Sequence, residues 1–267
     1  MKKKLIVPLA LVFAMLLCMP AMAATVCKIG SKGYSSLQEA VNNVKEGQTI
    51  KVTKAIVTSN PLSFGGTMKK QNGGVSYTID FKNKKYTYNG WDYAIIFRQP
   101  PNGEHTSTVT LKNMNLKCIR GFFVGNTCLV LENCKYSGGS CINNNGTIKI
   151  AGGKYTFKGR WDPFIENNGD ISITKGTFVN CNFKNMGGSI TISGGTFGGQ
   201  FVNEIMGITS NMIANHSGTV TIKGGTFKET DFTMFWNYEG ATFNISGGNF
   251  TGVMNKNAMN ITGGTFN

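Results

Sequence analysis

The chain has 267 residues, of which 35 are glycine, 40% are apolar and 15% are charged, with a formal net charge of +14 at pH 7. Glycine stands near twice its usual share of roughly 7% and charge well below the usual figure of about 25%. Disorder is excluded, because the apolar content can fill a core and the charge is too sparse to hold the chain open; collagen is excluded by six prolines and the absence of glycine at every third position.

At the N-terminus, Lys2, Lys3 and Lys4 precede the apolar run Leu5 to Cys18, and Ala21-Met22-Ala23 supplies a small-x-small cleavage pattern. Residues 1–23 read as a secretory signal, since the apolar run is shorter than the roughly 20 residues a membrane span needs. The protein is therefore expected to be secreted, periplasmic or held at the cell surface, with no transmembrane segment. Without the signal, 24 Lys and Arg stand against 13 Asp and Glu, a net +11. Outside the cell such charge points to acidic polysaccharide, anionic cell-envelope polymers or a lipid surface rather than to nucleic acid. It also keeps strand edges apart and the chain soluble.

Residues 24–50 form an N-terminal cap. Ser35-Ser36-Leu37-Gln38-Glu39 opens a helix with a capping-box pattern, and Leu37, Ala40, Val41 and Val44 fall on one face. Six cysteines remain beyond the signal: Cys27, Cys118, Cys128, Cys134, Cys141 and Cys181. An even number suits a disulfide framework, and buried unpaired thiols stacked inside a repeat fit as well. Zinc is not expected, because no C-x-x-C pair occurs and His105 and His216 lie far apart.

From residue 51 to 267 the chain repeats itself. Ile192-Ser-Gly-Gly-Thr-Phe197, Ile222-Lys-Gly-Gly-Thr-Phe227, Ile245-Ser-Gly-Gly-Asn-Phe250 and Ile261-Thr-Gly-Gly-Thr-Phe266 share one pattern. Degenerate copies begin at Phe81, Leu111, Leu131, Ile150 and Ile173, and Val52 to Val57 offers a tenth. The third position of the nine clear copies holds Asn83, Asn113, Asn133, Gly152, Lys175, Gly194, Gly224, Gly247 and Gly263. Glycine and asparagine best tolerate positive φ, so this position is expected to turn the chain, and Gly224→Val to cost about 1 to 2 kcal/mol. Polar and apolar residues alternate before each turn, as in Thr219-Val220-Thr221-Ile222, which means strand. Each repeat then holds three strands: one before an Asn/Gly turn, one before the Gly-Gly turn and one carrying Thr-Phe. Anchor intervals of 16 to 30 residues are too short for propeller blades of about 40 to 45. They match the coils of a parallel β-helix, an all-β solenoid of nine to ten coils whose strands stack about 4.8 Å apart. The last coil ends without a polar cap and is expected to leave strand edges open for self-association.

Ser35-Ser-Leu-Gln-Glu-Ala-Val41 running into Gly47-Gln-Thr-Ile-Lys-Val52, followed by the Gly-Gly-Thr-Phe coils, resembles the right-handed single-stranded parallel β-helix of the pectate-lyase-like superfamily, especially its secreted and surface-displayed members with short coils. Enzymes of that superfamily carry calcium-binding carboxylates with a basic catalytic residue, or an aspartate cluster. Neither set can be matched here, so no catalytic residue is carried over and no cofactor is expected; calcium enters only under a lyase alternative.

Binding loops are expected where coils lengthen, at about 89–108 and 198–211. Lys85-Tyr-Thr-Tyr-Asn-Gly-Trp-Asp92 also parallels Lys154-Tyr-Thr-Phe-Lys-Gly-Arg-Trp-Asp162, placing Trp-Asp at one corner of two coils. The candidate binding residues are Trp91 and Trp161, whose rings suit sugars, Arg98, Lys158 and Arg160, which suit carboxylates, and Asp162, Trp236 and Tyr238. Asp92 and Asp162 lie three coils, or about 14 Å, apart, beyond the roughly 5 to 9.5 Å of paired glycosidase carboxylates. His216 is expected to be exposed in its turn, and Thr219, Thr221 and Lys223 beside Thr191 and Ser193 to form a flat polar ladder. The leading expectation is a non-catalytic extracellular binding or adhesion protein for acidic polysaccharide or cell-envelope polymers. A polysaccharide lyase or other carbohydrate-active enzyme is the alternative, and a self-assembling structural protein a lesser one.

Overall fold

The computed structural model describes residues 24–64, 76–98, 107–159, 163–199, 211–228, 234–252 and 258–267. The proposed signal at 1–23 and Arg160, Trp161 and Asp162 lie outside the described residues, as do 99–106 of the first expected binding loop and 200–210 of the second. Within the described part of the first loop, Tyr93–Phe97 is a strand, because Ala94 to Phe97 is an apolar run with room only in the core.

Among the described residues the chain is almost all β, with one helix and a single 25-stranded, mostly parallel sheet. Its pairings resolve into three ladders. Ladder A contains Thr49–Val52, Tyr77–Asp80 and Thr108–Lys112, continues through the first halves of Cys128–Gly138, Thr147–Phe157 and Asp170–Val179, and runs on to Asn260–Ile261. Ladder B starts with Ile56–Thr58, Lys85–Tyr88 and Asn115–Cys118 and ends with Thr265–Phe266. Ladder C runs from Leu62–Phe64 and Tyr93–Phe97 to Phe235–Asn237. One strand from each ladder in sequence order makes a repeat, numbered here from 1 at Thr49. The three-strand expectation holds for the first eight repeats.

Register corrects two anchors. Ile79, not Phe81, stands opposite Leu111, and Ile50, not Val52, stands opposite Ile79. Tyr86 pairs with Leu116, so repeat 2 carries two extra residues between ladders A and B. Phe81 sits in that longer turn, fully buried and edge-on to Tyr86 at 6.0 Å.

The glycine expectation also needs correction. Asn83, Asn113 and Asn133 do have positive φ at the third position, between 51° and 60°. Gly152 does so too, at 104°, with Gly153 at 107°, whereas in the other four Gly-Gly copies the second glycine takes it instead: Gly195, Gly225, Gly248 and Gly264 lie between 110° and 114°. Gly224 is required for a different reason, because a Cβ there would stand 2.6 Å from the Ser193 carbonyl oxygen on the preceding rung. Lys175 is then no anomaly, since Gly176 at +136° carries the turn.

Alternation fills the interior. Tyr155, Phe178, Phe197, Phe227, Phe250 and Phe266 form a continuous stack in ladder B, with centroids 4.7 to 5.0 Å apart. Ladder C carries a polar counterpart. Asn144, Asn167, Asn185, Asn215 and Asn237 are buried, and each Nδ2 donates to the next Oδ1 at 2.7 to 2.9 Å. The remaining amide hydrogens go to turn carbonyls, such as Gly188 and Ser217 from Asn185. No buried side-chain N or O among the described residues lacks a partner, as burial of amides demands.

At the N-terminal end, α1 (Leu37–Asn43) is capped by Ser36, whose Oγ accepts from the Glu39 amide, while the Glu39 carboxylate accepts from the Ser35 amide and hydroxyl. Leu37, Ala40, Val41 and Val44 are buried as expected. The cap also contains an unforeseen antiparallel hairpin, β1 (Cys27–Ile29) and β2 (Lys32–Tyr34), with β1 antiparallel to the first ladder A strand. Strands of three residues are too short for alternation to reveal. At the other end, Ile261 and Phe266 are about half exposed, whereas the equivalent Ile245 and Phe250 are buried.

Candidate functional site

Ladder B presents the most coherent chemistry on the surface. Period two turns Tyr86, Leu116, Tyr136 and Tyr155 inward, so the flanking residues face out. Lys85, Asn115, Lys135 and Lys154 are aligned in register on successive rungs, and Lys117 sits two residues beyond Asn115. Repeats 2 to 5 thus each present one exposed lysine, about 4.8 Å apart along the stack. Ladder B strands contain no Asp or Glu. Among the described residues the ion pairs are Lys82–Asp80 and Lys112–Glu132, both 3.2 Å, and neither involves these four lysines.

Charge follows the same polarity over the whole chain. Residues 24–179 carry 20 Lys and Arg against 9 Asp and Glu, while residues 180–267 carry four against four. The entire +11 therefore belongs to the cap and the first repeats.

The residues expected to bind are spread over three regions. Trp91 lies at the B-to-C corner of repeat 2 and is 84% exposed. Arg98 is exposed at the far end of the Tyr93–Phe97 strand, about 17 Å from that corner. Lys158 is exposed at the B-to-C corner of repeat 5, three repeats from Trp91, and its amide donates to Gly138 O. Trp236 lies in ladder C of repeat 8 and Tyr238 just after it, in the stretch with no net charge, with ring centroids 6.0 Å apart. His216 joins these last two: it is half-buried rather than exposed and stacks on Tyr238 at 4.2 Å. Burial, then the Lys184 ammonium, lowers its pKa. Thr191 and Thr221 do stand side by side on ladder A, as do Ser189 and Thr219.

Several of the described carboxylates have structural partners. Asp92 accepts from the Tyr93 amide at 2.7 Å and Asp170 from the Ser189 hydroxyl at 2.6 Å. Asp80 is held below its ordinary pKa: burial raises it, but the Lys82 amide, the Asn113 amide group and the Lys82 ammonium outweigh that. No group of three His, Cys, Asp or Glu among the described residues is placed to hold a metal ion. The six described cysteines are unpaired, and all of them but Cys128 are buried. Burial pushes Cys118 and Cys134 up to about 12 and Cys27 to about 11, and Cys141 and Cys181 rise well above the usual range. Thiols held protonated in this way are poor nucleophiles.

The lysine row was legible in the sequence as Lys-Tyr at 85, 135 and 154, but only register aligns them and adds Lys117. No family model, curated protein or solved structure matches the chain. Among the described residues no helix is long and apolar enough to cross a membrane.

Proposed function

We propose that the chain is an exported right-handed parallel β-helix of the pectate-lyase-like kind that binds, without catalysis, an extended anionic polymer: acidic polysaccharide or a cell-envelope polymer. The observation that carries this reading is the row of four lysines on consecutive repeats of ladder B, with no carboxylate in that ladder. A chain of anions laid along the stack meets one ammonium per rung, and charge-assisted contacts can form without rearranging the scaffold. The rigid ladders avoid the ordering cost a flexible basic tail would meet. The N-terminal Lys2 to Ala23 pattern supports export, and the structural employment of Asp80, Asp92 and Asp170 leaves them poorly suited to acid–base chemistry.

Purified residues 24–267 should be retained by acidic but not neutral polysaccharides, and released by salt as screening shortens the reach of the lysines. Replacing Lys85, Lys117, Lys135 and Lys154 together by Gln should weaken retention about tenfold, from four contacts of about 0.3–0.5 kcal/mol each. Unsaturated uronate products in the same incubation, with or without calcium, would make the protein a lyase instead. Retention unchanged in the quadruple variant would remove the lysine face from the account.

A further inference from the structure

We propose that the C-side edge of ladder B in repeats 1 to 3 docks on an anionic lipid leaflet, with Val57, Trp91 and Ile119 entering the headgroup layer and the neighbouring lysines meeting the phosphates. This partner goes beyond the polymer reading, because it engages side chains that a water-borne polyanion leaves idle.

Trp91, 84% exposed, and Val57, 71% exposed, are the two most exposed large apolar side chains among the described residues, and Ile119 is about half exposed. They fall on consecutive repeats. Val57 lies in the ladder B strand of repeat 1, where register sets it beside Thr87 and Thr87 beside Lys117. Ile56, Tyr86 and Leu116 pack on the core side, so Val57 faces outward with the lysines. Trp91 stands in the four-residue corner Asn89 to Asp92 of repeat 2, and Ile119 alone fills the corner of repeat 3 between Cys118 and Arg120. Val57 and Ile119 are thus two rungs, or about 10 Å, apart along the stack, with Trp91 on the rung between. One exposed apolar residue is ordinary on a soluble protein. A run of them along one edge, rimmed by polar groups, marks an interaction surface.

Charge sorts toward the other side of the same face. Lys54 and Lys84 stand just before the ladder B strands of repeats 1 and 2, Lys85 opens the second of these strands, and all three are exposed, as is Lys117 in the Val57 row. Asp92 is the one carboxylate at the three corners, and it is engaged by the Tyr93 amide. From its A side to its C side the face therefore passes from ammonium groups to apolar side chains. A bilayer surface changes in the same sense, from phosphates to acyl chains. Tryptophan favours that boundary because its ring is apolar and its N–H is polar. Lysine stems are long enough to lie along the apolar side while the ammonium stays at the phosphates, and an anionic leaflet attracts them within a Debye length.

Vesicle sedimentation tests this with residues 24–267 at low salt. The protein should bind vesicles of phosphatidylcholine mixed with phosphatidylglycerol, leave pure phosphatidylcholine unbound, and be released by salt. Trp91→Ala should weaken vesicle binding about tenfold while changing retention on polyphosphate by less than about twofold, and Trp91→Tyr should restore most of the loss. Ile119→Ser should weaken vesicle binding about threefold. Brominated acyl chains should quench tryptophan emission in the wild type and lose that effect in Trp91→Ala. Both side chains lie outside the core, and an unchanged urea midpoint confirms that the variants fold. Wild-type vesicle binding by Trp91→Ala, or no binding of the wild type to either vesicle, overturns the proposal. Equal losses of vesicles and polyphosphate in Trp91→Ala overturn it too, and assign Trp91 to the polymer face. The polymer reading fails separately: a quadruple lysine variant that keeps polyphosphate but releases vesicles removes that reading and leaves the lipid surface in place.

Discussion

The two glycines of each Gly-Gly turn do different work, and single substitutions should tell them apart. Gly225 has φ +111°, a conformation an L side chain adopts only under strain, whereas Gly224 lies against the Ser193 carbonyl of the preceding rung. Gly225→Ala should lower stability by about 1 to 2 kcal/mol. Gly224→Ala should cost about 1 to 3 kcal/mol by a different route, because the rung must open to admit the methyl group. Gly187 is the control: a Cβ there meets nothing within 4 Å, so Gly187→Ala should leave stability unchanged or raise it by up to about 1 kcal/mol. Urea denaturation of the three variants checks this, and a harmless Gly225→Ala would refute the assignment. Two turn types share one column of the repeat, and the sequence alone does not separate them. Asn83, Asn113, Asn133 and Gly152 turn there, while the four later Gly-Gly copies turn one residue later.

At the scale of the element, the asparagine row of ladder C shows what the pattern hid. Asn144, Asn167 and Asn215 stand two residues before Gly or Ser in segments that read as turns, and asparagine is a turn former. Yet counting by two from the buried Ile142, Ile165 and Ile213 puts those same asparagines inside, where their amides bridge successive repeats. The repeat and its three strands were legible because Ile and Phe recur with period two; the polar row was not, because it borrows residues that usually mark the surface. Asn185 is the middle link. It accepts from Asn167 and donates to Asn215 and to the Gly188 and Ser217 carbonyls. Removing it in Asn185→Ala leaves buried groups unpaired on both sides and should cost about 1 to 3 kcal/mol. Asn185→Asp keeps the shape but turns an acceptor toward three acceptors. It should be worse than alanine at neutral pH, and recover in acid as the carboxylate takes up a proton that it can donate. Denaturation at pH 7 and pH 4 reads both effects, and an aspartate variant as stable as wild type at pH 7 would show that the amides are not coupled.

Over the whole molecule, residue type alone does not define a site: Trp91 and Lys158 share a corner three repeats apart, Arg98 lies at the opposite end of its strand, and Trp236 and Tyr238 sit in the stretch with no net charge. What organises the surface is a property no single residue carries, the confinement of the net charge to residues 24–179. A rigid body charged along one part of its length meets a polyanion in a preferred orientation, because the field of the lysine row acts before any contact forms. Lysine footprinting gives that orientation directly. With oligogalacturonate bound at low salt, Lys85, Lys117, Lys135 and Lys154 should resist acetylation, while the exposed Lys223 and Lys228, in repeat 8, should react at their free rates. At about 1 M salt the Debye length falls to about 3 Å, and protection of the row should vanish without any change at Lys223 or Lys228. Uniform protection of both sets would mean that the polymer wraps the molecule with no preferred face, and that the charge polarity does not guide binding. Protection at Lys223 and Lys228 alone would move the binding surface to the neutral repeats, where the Trp236, Tyr238 and His216 rings then become the residues to mutate.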